Sequence, residues 1–225
     1  MYNIFKALRI ERKEVIHSTM IVAIASYNSK CRKLFFEMLR KKYKEEPDSD
    51  KNKELIKNLD ALEESIIRSN YKKWINTEHL LKEMVGNEER LRGRADIWIG
   101  NNENPSYRLI IENKIDAMDQ EYQLRRYYRY LTGKDLANNY RNNAGLFYLC
   151  LKEDREKRKM VNDYSAKKYK HESINADVDT DWHLLTYEKD IKNWLEEIVN
   201  LELDCDDFKW AVKQYIEIIN SILSE

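Results

Sequence analysis

The chain has 225 residues, of which 42% are hydrophobic and 36% are charged, and its formal net charge is zero. This is enough apolar sequence for a core, but no apolar run approaches the length of about 18–20 residues that a membrane-spanning helix needs. The N-terminus has no basic start followed by an apolar block, so we expect no signal peptide and a cytoplasmic location.

Several kinds of site are excluded by the pattern of reactive residues. The three cysteines, Cys31, Cys150 and Cys205, are scattered and form no Cys-x-x-Cys pair, which argues against disulfides and a zinc site. A Gly-x-Ser-x-Gly elbow and a phosphate-binding glycine loop are also missing from the sequence. We therefore expect reduced packing cysteines and neither a serine triad nor Walker-type nucleotide hydrolysis.

The first part of the chain is predicted to be mainly helical, because apolar residues recur there at helical spacing. The predicted elements are helices at 9–25, 30–44 and 53–69, a first strand at 73–80, and a polar connection at 86–93. Glu78 lies on the first strand, in a position that can face a site at the end of the next one.

The rest of the chain alternates strands with helices, and the elements are bounded by turn-forming residues. We predict strands at 94–99 and 107–115 around a turn-rich segment at 101–106, a helix at 119–131, a strand at 145–151, a long lysine-rich polar segment at 152–178, a strand at 182–185, and helices at 187–199 and 206–223. Thr186 is the expected cap of the helix at 187–199.

These elements predict one α/β domain spanning residues 1–225. Its helical N-terminal portion covers 1–70, and its sheet-containing core covers 71–225. A mixed central β-sheet with helices on both faces is the expected architecture.

The strongest chemical signal is the predicted hairpin that carries Asp96, Glu112 and Lys114. In an antiparallel pair the start of one strand lies beside the end of the next, so Asp96 and Glu112 are expected to come close together. Glu112 and Lys114 are two positions apart and leave the same face of their strand. Charges at the end of the apolar strand 107–115 need partners.

Two carboxylates and the backbone carbonyl of Asn113 form an oxygen-rich set suited to Mg²⁺ or Mn²⁺. Such a cation polarises a phosphate oxygen and lowers the pKa of bound water, and Lys114 can orient that water or offset charge on the phosphate. In a chain with so many charges, an Asp followed by Glu-x-Lys also arises by chance on a solvated surface.

A helix follows the hairpin and places Gln123 and Tyr127 one turn apart, near its charged end. Both side chains can hydrogen-bond a phosphate or a water, although a core tyrosine beside a space-filling glutamine fits the same spacing. Glu14 on the first helix can complete a metal shell or be an ordinary exposed glutamate.

The hairpin and the helix after it resemble the PD-(D/E)XK nuclease superfamily. The resemblance rests on Gly93-Arg94-Ala95-Asp96-Ile97, on Ile111-Glu112-Asn113-Lys114-Ile115, and on the Gln-x-x-x-Tyr block from Gln123 to Tyr127. It covers residues 93–131 well, with weaker agreement at 11–39 and 74–78, and it departs from the family pattern where Ala95 replaces a proline.

The resemblance implies a restriction-endonuclease-like fold and a metal-dependent nuclease. Asp96 and Glu112 would be metal ligands, Lys114 the catalytic lysine, and Gln123 and Tyr127 accessory residues, with a possible role for Glu14. It also makes a setting in restriction or anti-phage defence plausible.

Basic residues after the hairpin predict where nucleic acid binds, despite the neutral net charge. The expected contacts are Arg94, Gln120, Arg125, Arg126 and Arg129, with base stacking on the interleaved Tyr127, Tyr128, Tyr130 and Tyr140. The alternative is an amphipathic helix with a solvated basic face.

The function expected from the sequence is hydrolysis of DNA phosphodiester bonds by a metal-activated water, with Mg²⁺ or Mn²⁺ as cofactor. Nucleic acid is the expected partner, and cutting of both strands would favour a homodimer. The alternatives are a catalytically idle nuclease fold used for binding, or a subunit of a larger defence complex that docks through the segment 152–178.

Overall fold

The structure, a computed structural model, describes residues 10, 12–45, 49–68, 74–85, 88–100, 108–132, 144–167 and 180–225. Its helices are α1 (Glu14–Tyr27), α2 (Ser29–Glu45), α3 (Ser49–Arg68), α4 (Gln123–Thr132), α5 (Arg155–Met160), α6 (Lys192–Asn200) and α7 (Asp206–Leu223). Its strands are β1 (Ile75–Val85), β2 (Glu88–Gly100), β3 (Arg108–Lys114), β4 (Ala144–Cys150) and β5 (His183–Thr186).

The five strands form one mixed sheet in the order β1-β2-β3-β4-β5. The first three strands are antiparallel neighbours, whereas β3, β4 and β5 run parallel to one another. Parallel neighbours need a crossover connection, and α4 lies in the connection between β3 and β4. The predicted mixed sheet is therefore confirmed.

Helices cover both faces of this sheet. One face packs Ile97, Ile111 and Phe147 against apolar residues of α1, α2, α3, α6 and α7. The opposite face packs Trp98, Ile110 and other residues against α4 and the segment after α5. Because β3 is covered on both sides, its central residues form an apolar run instead of alternating with polar ones.

The predicted polar connection at 86–93 is wrong, since β2 already begins at Glu88. Residues 82–85 of β1 pair with residues 88–91 of β2, beyond a register shift at Leu81 and Lys82. These paired residues are mostly charged, so the strand gives no apolar alternation for sequence reasoning to detect. Asp96 consequently lies well inside β2 and not where the strand begins.

The segment at 152–178 is predicted to be long, polar and lysine-rich, and its described part contains helical turns at 155–165. Asp154 caps α5 by accepting a hydrogen bond from the backbone N–H of Glu156, and the chain continues into a π-helical turn at Val161–Ser165. Val161, Ser165 and Ala166 are buried there, which anchors a segment whose other residues are mostly polar. Residues 168–179 and the predicted turn at 101–106 lie outside the described residues.

The cap predicted at Thr186 is confirmed, because its side chain accepts a hydrogen bond from the backbone N–H of Lys189. A π-helical turn at Tyr187–Ile191 leads from this cap into α6. In the described part of the chain, the three cysteines are free, and no helix is long and apolar enough to cross a bilayer.

Candidate active site

Glu112 and Lys114 leave the same face near the end of β3 and form a buried ion pair. The Nζ atom of Lys114 lies 2.7 Å from Oε1 of Glu112, and the two side chains are only 8% and 2% exposed. Their spacing of two residues on a strand produces this contact, as the sequence predicts.

Asp96 reaches the same end of the hairpin from β2. The last aligned pair of the two strands is Ile97 with Ile111, and beyond it the Asp96 side chain accepts a 2.8 Å hydrogen bond from the backbone N–H of Asn113. The carboxylate thus continues the pairing of the two strands where the backbone ladder stops. The structure brings together the two acids that the sequence pairs across sixteen positions.

Gln123 and Tyr127 approach this cluster from the first turns of α4. Nε2 of Gln123 donates to Oε1 of Glu112 at 2.6 Å and lies 3.1 Å from the hydroxyl of Tyr127. The Tyr127 hydroxyl in turn donates to the backbone carbonyl of Arg94 at 2.7 Å. The helix is therefore tied to both β2 and β3 at the charged end of the hairpin.

Gly93 explains part of the Gly-Arg-x-Asp pattern. A Cβ atom at this position would lie 2.8 Å from Cε1 of Tyr127, closer than van der Waals contact permits. The absence of a side chain lets the tyrosine ring lie directly on the strand that carries Asp96. Gly93 thus leaves the space that the Tyr127 ring occupies.

The Asn113 side chain points away from the acids and fastens β3 to the helical layer. Its amide donates to the backbone carbonyl of Glu14 and to the hydroxyl of Ser18, both at 3.1 Å. Its carbonyl oxygen accepts a 2.9 Å hydrogen bond from the Tyr187 hydroxyl. All three partners hold the strand segment between Glu112 and Lys114 in place.

Glu14 lies beside the site but is engaged in capping the strand end. Its Oε1 accepts hydrogen bonds from the backbone N–H groups of Ile115 at 2.6 Å and Ala117 at 3.0 Å. Its charge is close enough to raise the pKa values of both Asp96 and Glu112.

Burial sets the protonation of the two acids. Desolvation, followed by the Asp96 charge, raises the pKa of Glu112 to about 8, and Lys114 limits that rise. Desolvation also raises the pKa of Asp96 to about 6, opposed by the Asn113 N–H and by Lys114. Burial lowers the pKa of Lys114, but attraction to Glu112, Asp96 and Glu14 together outweighs it, so the net shift is upward and the lysine stays charged.

The donor set fits a small hard cation. Among the described residues, Oε2 of Glu112 and Oε1 of Gln123 are buried and accept no hydrogen bond, which leaves two oxygens available beside Asp96. Mg²⁺ is commonly held by one or two carboxylates and keeps several waters, so a pair of acids with a backbone carbonyl suffices. The described residues contain no group of three or more His, Cys, Asp or Glu side chains placed to hold a metal, so Glu14 does not form such a cluster with Asp96 and Glu112.

The residues predicted to contact nucleic acid differ in how far their side chains are exposed to solvent. Arg94 is exposed and pairs with Glu78 at 2.9 Å, and Arg126 donates to the Gln120 side chain at 3.3 Å. Arg129 is half-buried. Arg125 is fully buried and lies 3.5 Å from the Thr180 hydroxyl, so the structure does not bring it to the surface with the others.

The tyrosines expected to stack on bases are mostly packing residues. Tyr127 and Tyr128 are buried in the core beneath α4, and Tyr130 packs against the same cluster. Tyr140 lies outside the described residues. The expectation of base stacking on Tyr127 and Tyr128 is therefore wrong, because the helix buries most of its circumference and not one stripe.

Sequence reasoning missed a second polar cluster on the Glu112 face of the sheet. Tyr148, the β4 residue aligned with Glu112, donates to Asp119 at 2.8 Å, and the other oxygen of Asp119 lies 2.9 Å from Nζ of Lys157. Three separate elements supply these residues, so no spacing in the sequence signals the cluster. It fastens α5 to the loop that leads from β3 to Gln123.

Comparison with known proteins agrees with this geometry. A family model described as the PD-(D/E)XK nuclease superfamily matches residues 2–217, almost the whole chain. No curated protein and no solved structure matches. The mixed sheet with helices on both faces is the restriction-endonuclease-like fold that the sequence resemblance implies.

Proposed function

The chain belongs to the PD-(D/E)XK nuclease superfamily, and on this premise we propose that it is a Mg²⁺-dependent deoxyribonuclease. The observation that carries the proposal is the environment of Glu112. One oxygen of this carboxylate is held by Lys114 and Gln123, while the other is buried and accepts no hydrogen bond from any described residue. A buried carboxylate oxygen without a donor is costly unless a ligand satisfies it.

Asp96, Glu112 and the Asn113 carbonyl are the proposed ligands of one Mg²⁺ or Mn²⁺ ion. When bound, the ion lowers the pKa of a water and polarises the scissile phosphate. The buried site strengthens this electrostatic effect, since few waters compete for the charges. The two acids have to be ionised for binding, and their raised pKa values make that step dependent on pH.

The other residues position the reacting groups. Lys114 supplies a positive charge that orients the attacking water and offsets the charge growing on the phosphate. Gln123 fixes the rotamer of Glu112, and Tyr127 fixes Gln123 and the β2 backbone at Arg94. Arg94 and Arg126 are the proposed contacts to the DNA backbone. We place this activity in restriction or anti-phage defence in the cytoplasm.

A cleavage assay tests the proposal. Purified protein is incubated with linear duplex, circular duplex and single-stranded DNA in Mg²⁺, Mn²⁺ or EDTA. Wild-type protein should cut with either cation and not in EDTA, and Asp96→Ala and Lys114→Ala should each reduce the rate by at least about a hundredfold.

A matched control separates loss of chemistry from loss of folding. Lys213→Ala removes an exposed lysine on α7 and should cut like the wild type. Cleavage that persists in EDTA, or in both site variants, would contradict the proposed metal-dependent nuclease function. A folded wild type that binds DNA but cuts under no condition would instead identify a catalytically idle or partner-dependent nuclease fold.

A further inference from the structure

Two tyrosines and a lysine form a surface cluster beside the candidate active site. Nζ of Lys167 lies 4.9 Å from the ring centroid of Tyr122 and 5.6 Å from that of Tyr164. Tyr164 is 41% exposed and Tyr122 is half-buried, so both rings offer surface to a ligand. We call Tyr122, Tyr164 and Lys167 the aromatic platform.

Two hydrogen bonds hold the backbone segments that carry Tyr122 and Tyr164 beside each other. The N–H of Tyr122 donates to the carbonyl of Tyr164 at 3.0 Å, and the N–H of Leu124 donates to the Ser165 hydroxyl at 3.2 Å. The start of α4 is thereby fastened to the π-helical turn at Val161–Ser165. Pre-organised aromatic side chains bind with little loss of conformational entropy.

Tyr122 adopts a backbone conformation that tyrosine avoids. Its φ is 60°, in the left-handed region where bulky residues are rarely found. Such strain persists only where the surrounding structure imposes it, and it is concentrated at functional sites. Here the strained residue ends the loop after β3 and directly precedes Gln123, the first residue of α4.

Two cations, Arg126 and Lys167, lie at the platform together with the acids Glu121 and Asp163. Arg126 donates to two neutral oxygens, the Glu121 carbonyl at 2.8 Å and the Gln120 side chain at 3.3 Å. Neither of these two partners offsets its positive charge. Lys167 lies 2.7 Å from Glu121, in a half-exposed pair that solvent screens. Aromatic rings interleaved with such cations bind bases and phosphates together.

The platform is adjacent to the chemistry. Tyr122 directly precedes Gln123, whose side chain contacts Glu112 at 2.6 Å. A nucleotide stacked on the platform would therefore be bound next to the start of α4, where Gln123 contacts Glu112. In duplex DNA the base faces are covered by neighbouring base pairs, so exposed rings select unpaired nucleotides.

We propose that the aromatic platform, with Arg126, binds single-stranded DNA and leads it into the active site. This inference rests on the proposed nuclease function for its biological meaning, but the binding itself does not require catalysis. It names unpaired DNA as the substrate class, which neither the hairpin nor the family match specifies.

A binding assay in EDTA tests the proposal without cleavage. Fluorescence anisotropy is measured with a labelled 20-nucleotide thymidine oligomer, an abasic oligomer of equal length and charge, and a duplex of equal length. The variants are Tyr164→Leu, Tyr122→Leu and Arg126→Gln. Tyr27→Leu, which alters a tyrosine of similar exposure on α1, is the matched control.

Wild-type protein should bind the thymidine oligomer more tightly than the abasic oligomer and the duplex. Each platform tyrosine variant should lose about five- to a hundredfold in affinity for the thymidine oligomer and change little toward the abasic one. Arg126→Gln should weaken both single strands alike, and Tyr27→Leu should weaken neither.

Equal binding of the thymidine and abasic oligomers would overturn the proposal, as would unchanged affinity in both tyrosine variants. The outcome is independent of the cleavage assay. If wild type binds single strands through the platform but never cuts with Mg²⁺, the nuclease function fails and the platform stands. If the wild type cuts duplex DNA while the platform variants bind and cut normally, the platform proposal is wrong and the nuclease function stands.

Discussion

The Gln123 amide donates to the oxygen of Glu112 that also receives the Lys114 ammonium, at 2.6 Å and 2.7 Å respectively. Two donors therefore hold one carboxylate oxygen, and the other is buried and accepts no hydrogen bond from the described residues. One oxygen thus fixes the orientation of the carboxylate, and the other is available to bind a cation.

Gln123→Leu should leave the protein folded but loosen Glu112. We expect Mg²⁺ affinity or cleavage rate to fall by about 10- to 100-fold, because an outer partner of a ligating carboxylate is removed. Calorimetric titration with Mg²⁺ checks the affinity, and cleavage at saturating Mg²⁺ checks the rate. Gln123→Glu adds a negative charge to those of Asp96, Glu112 and Glu14 and should raise the pKa of Glu112 further. Unchanged affinity and rate in the leucine variant would show that Gln123 has no positioning role.

Stability of the metal-free protein should fall as the pH rises from about 5 to about 8. The pKa values of Glu112 and Asp96 are raised to about 8 and about 6 in the folded state. In this window the folded protein holds more protons than the unfolded chain, so raising the pH favours unfolding. Lys114 has a raised pKa and stays charged throughout, so it adds no slope in this window.

Thermal unfolding in EDTA across this pH range measures the effect. Glu112→Gln should flatten the decline and be more stable than wild type at pH 8, by an amount on the order of a few kcal/mol. Adding Mg²⁺ should stabilise the wild type more at pH 8 than at pH 6, because the cation competes with protons. A wild-type melting temperature that rises from pH 5 to pH 8 as steeply as that of the variant would contradict the raised pKa of Glu112.

Gly93→Ala should displace Tyr127. The added methyl group would approach Cε1 of the buried ring at 2.8 Å, and the ring cannot move without losing its hydrogen bonds to Arg94 and Gln123. We expect a loss of about 1–3 kcal/mol in the free energy of unfolding, measured with urea. The double variant Gly93→Ala with Tyr127→Ala should show strong coupling, since removing the ring removes the clash and leaves only the cost of an alanine at a φ of 156°. Additive effects would mean that the clash is relieved elsewhere.

The sequence predicts the parts of this site that depend on strand periodicity. Glu112 and Lys114 meet because alternate residues share a strand face, and Asp96 reaches Asn113 because antiparallel neighbours align. The order of most helices and strands follows for the same reason, since their apolar spacing is regular. These features depend on the spacing of residues within one strand, hairpin or helix, so they can be predicted from the sequence alone.

What the sequence does not predict depends on contacts between distant elements. Arg125 looks like a surface cation, but its side chain is fully buried and its guanidinium lies 3.5 Å from the Thr180 hydroxyl. The beginning of β2 at Glu88 depends on pairing with β1 and not on its own polar residues. Nothing in the sequence spacing predicts that Tyr164 lies beside Tyr122, because the π-helical turn at Val161–Ser165 produces this contact.

Glu14 offers a test that separates a strand cap from a metal ligand. Glu14→Gln keeps an oxygen that can accept from the N–H groups of Ile115 and Ala117, but it removes the negative charge. If capping is the role of Glu14, this variant should unfold like wild type, whereas Glu14→Ala should lose about 1–2 kcal/mol of stability. Urea denaturation in EDTA measures both.

The charge of Glu14 has its own consequence. It raises the pKa values of Asp96 and Glu112, so Glu14→Gln should lower both and shift the pH midpoint of Mg²⁺ binding downward. Affinity at pH 8, where Asp96 is ionised and Glu112 is about half ionised, should change by less than about threefold. A loss of affinity of about a hundredfold or more at pH 8 would instead make Glu14 a direct ligand, because a neutral amide binds Mg²⁺ far more weakly than a carboxylate.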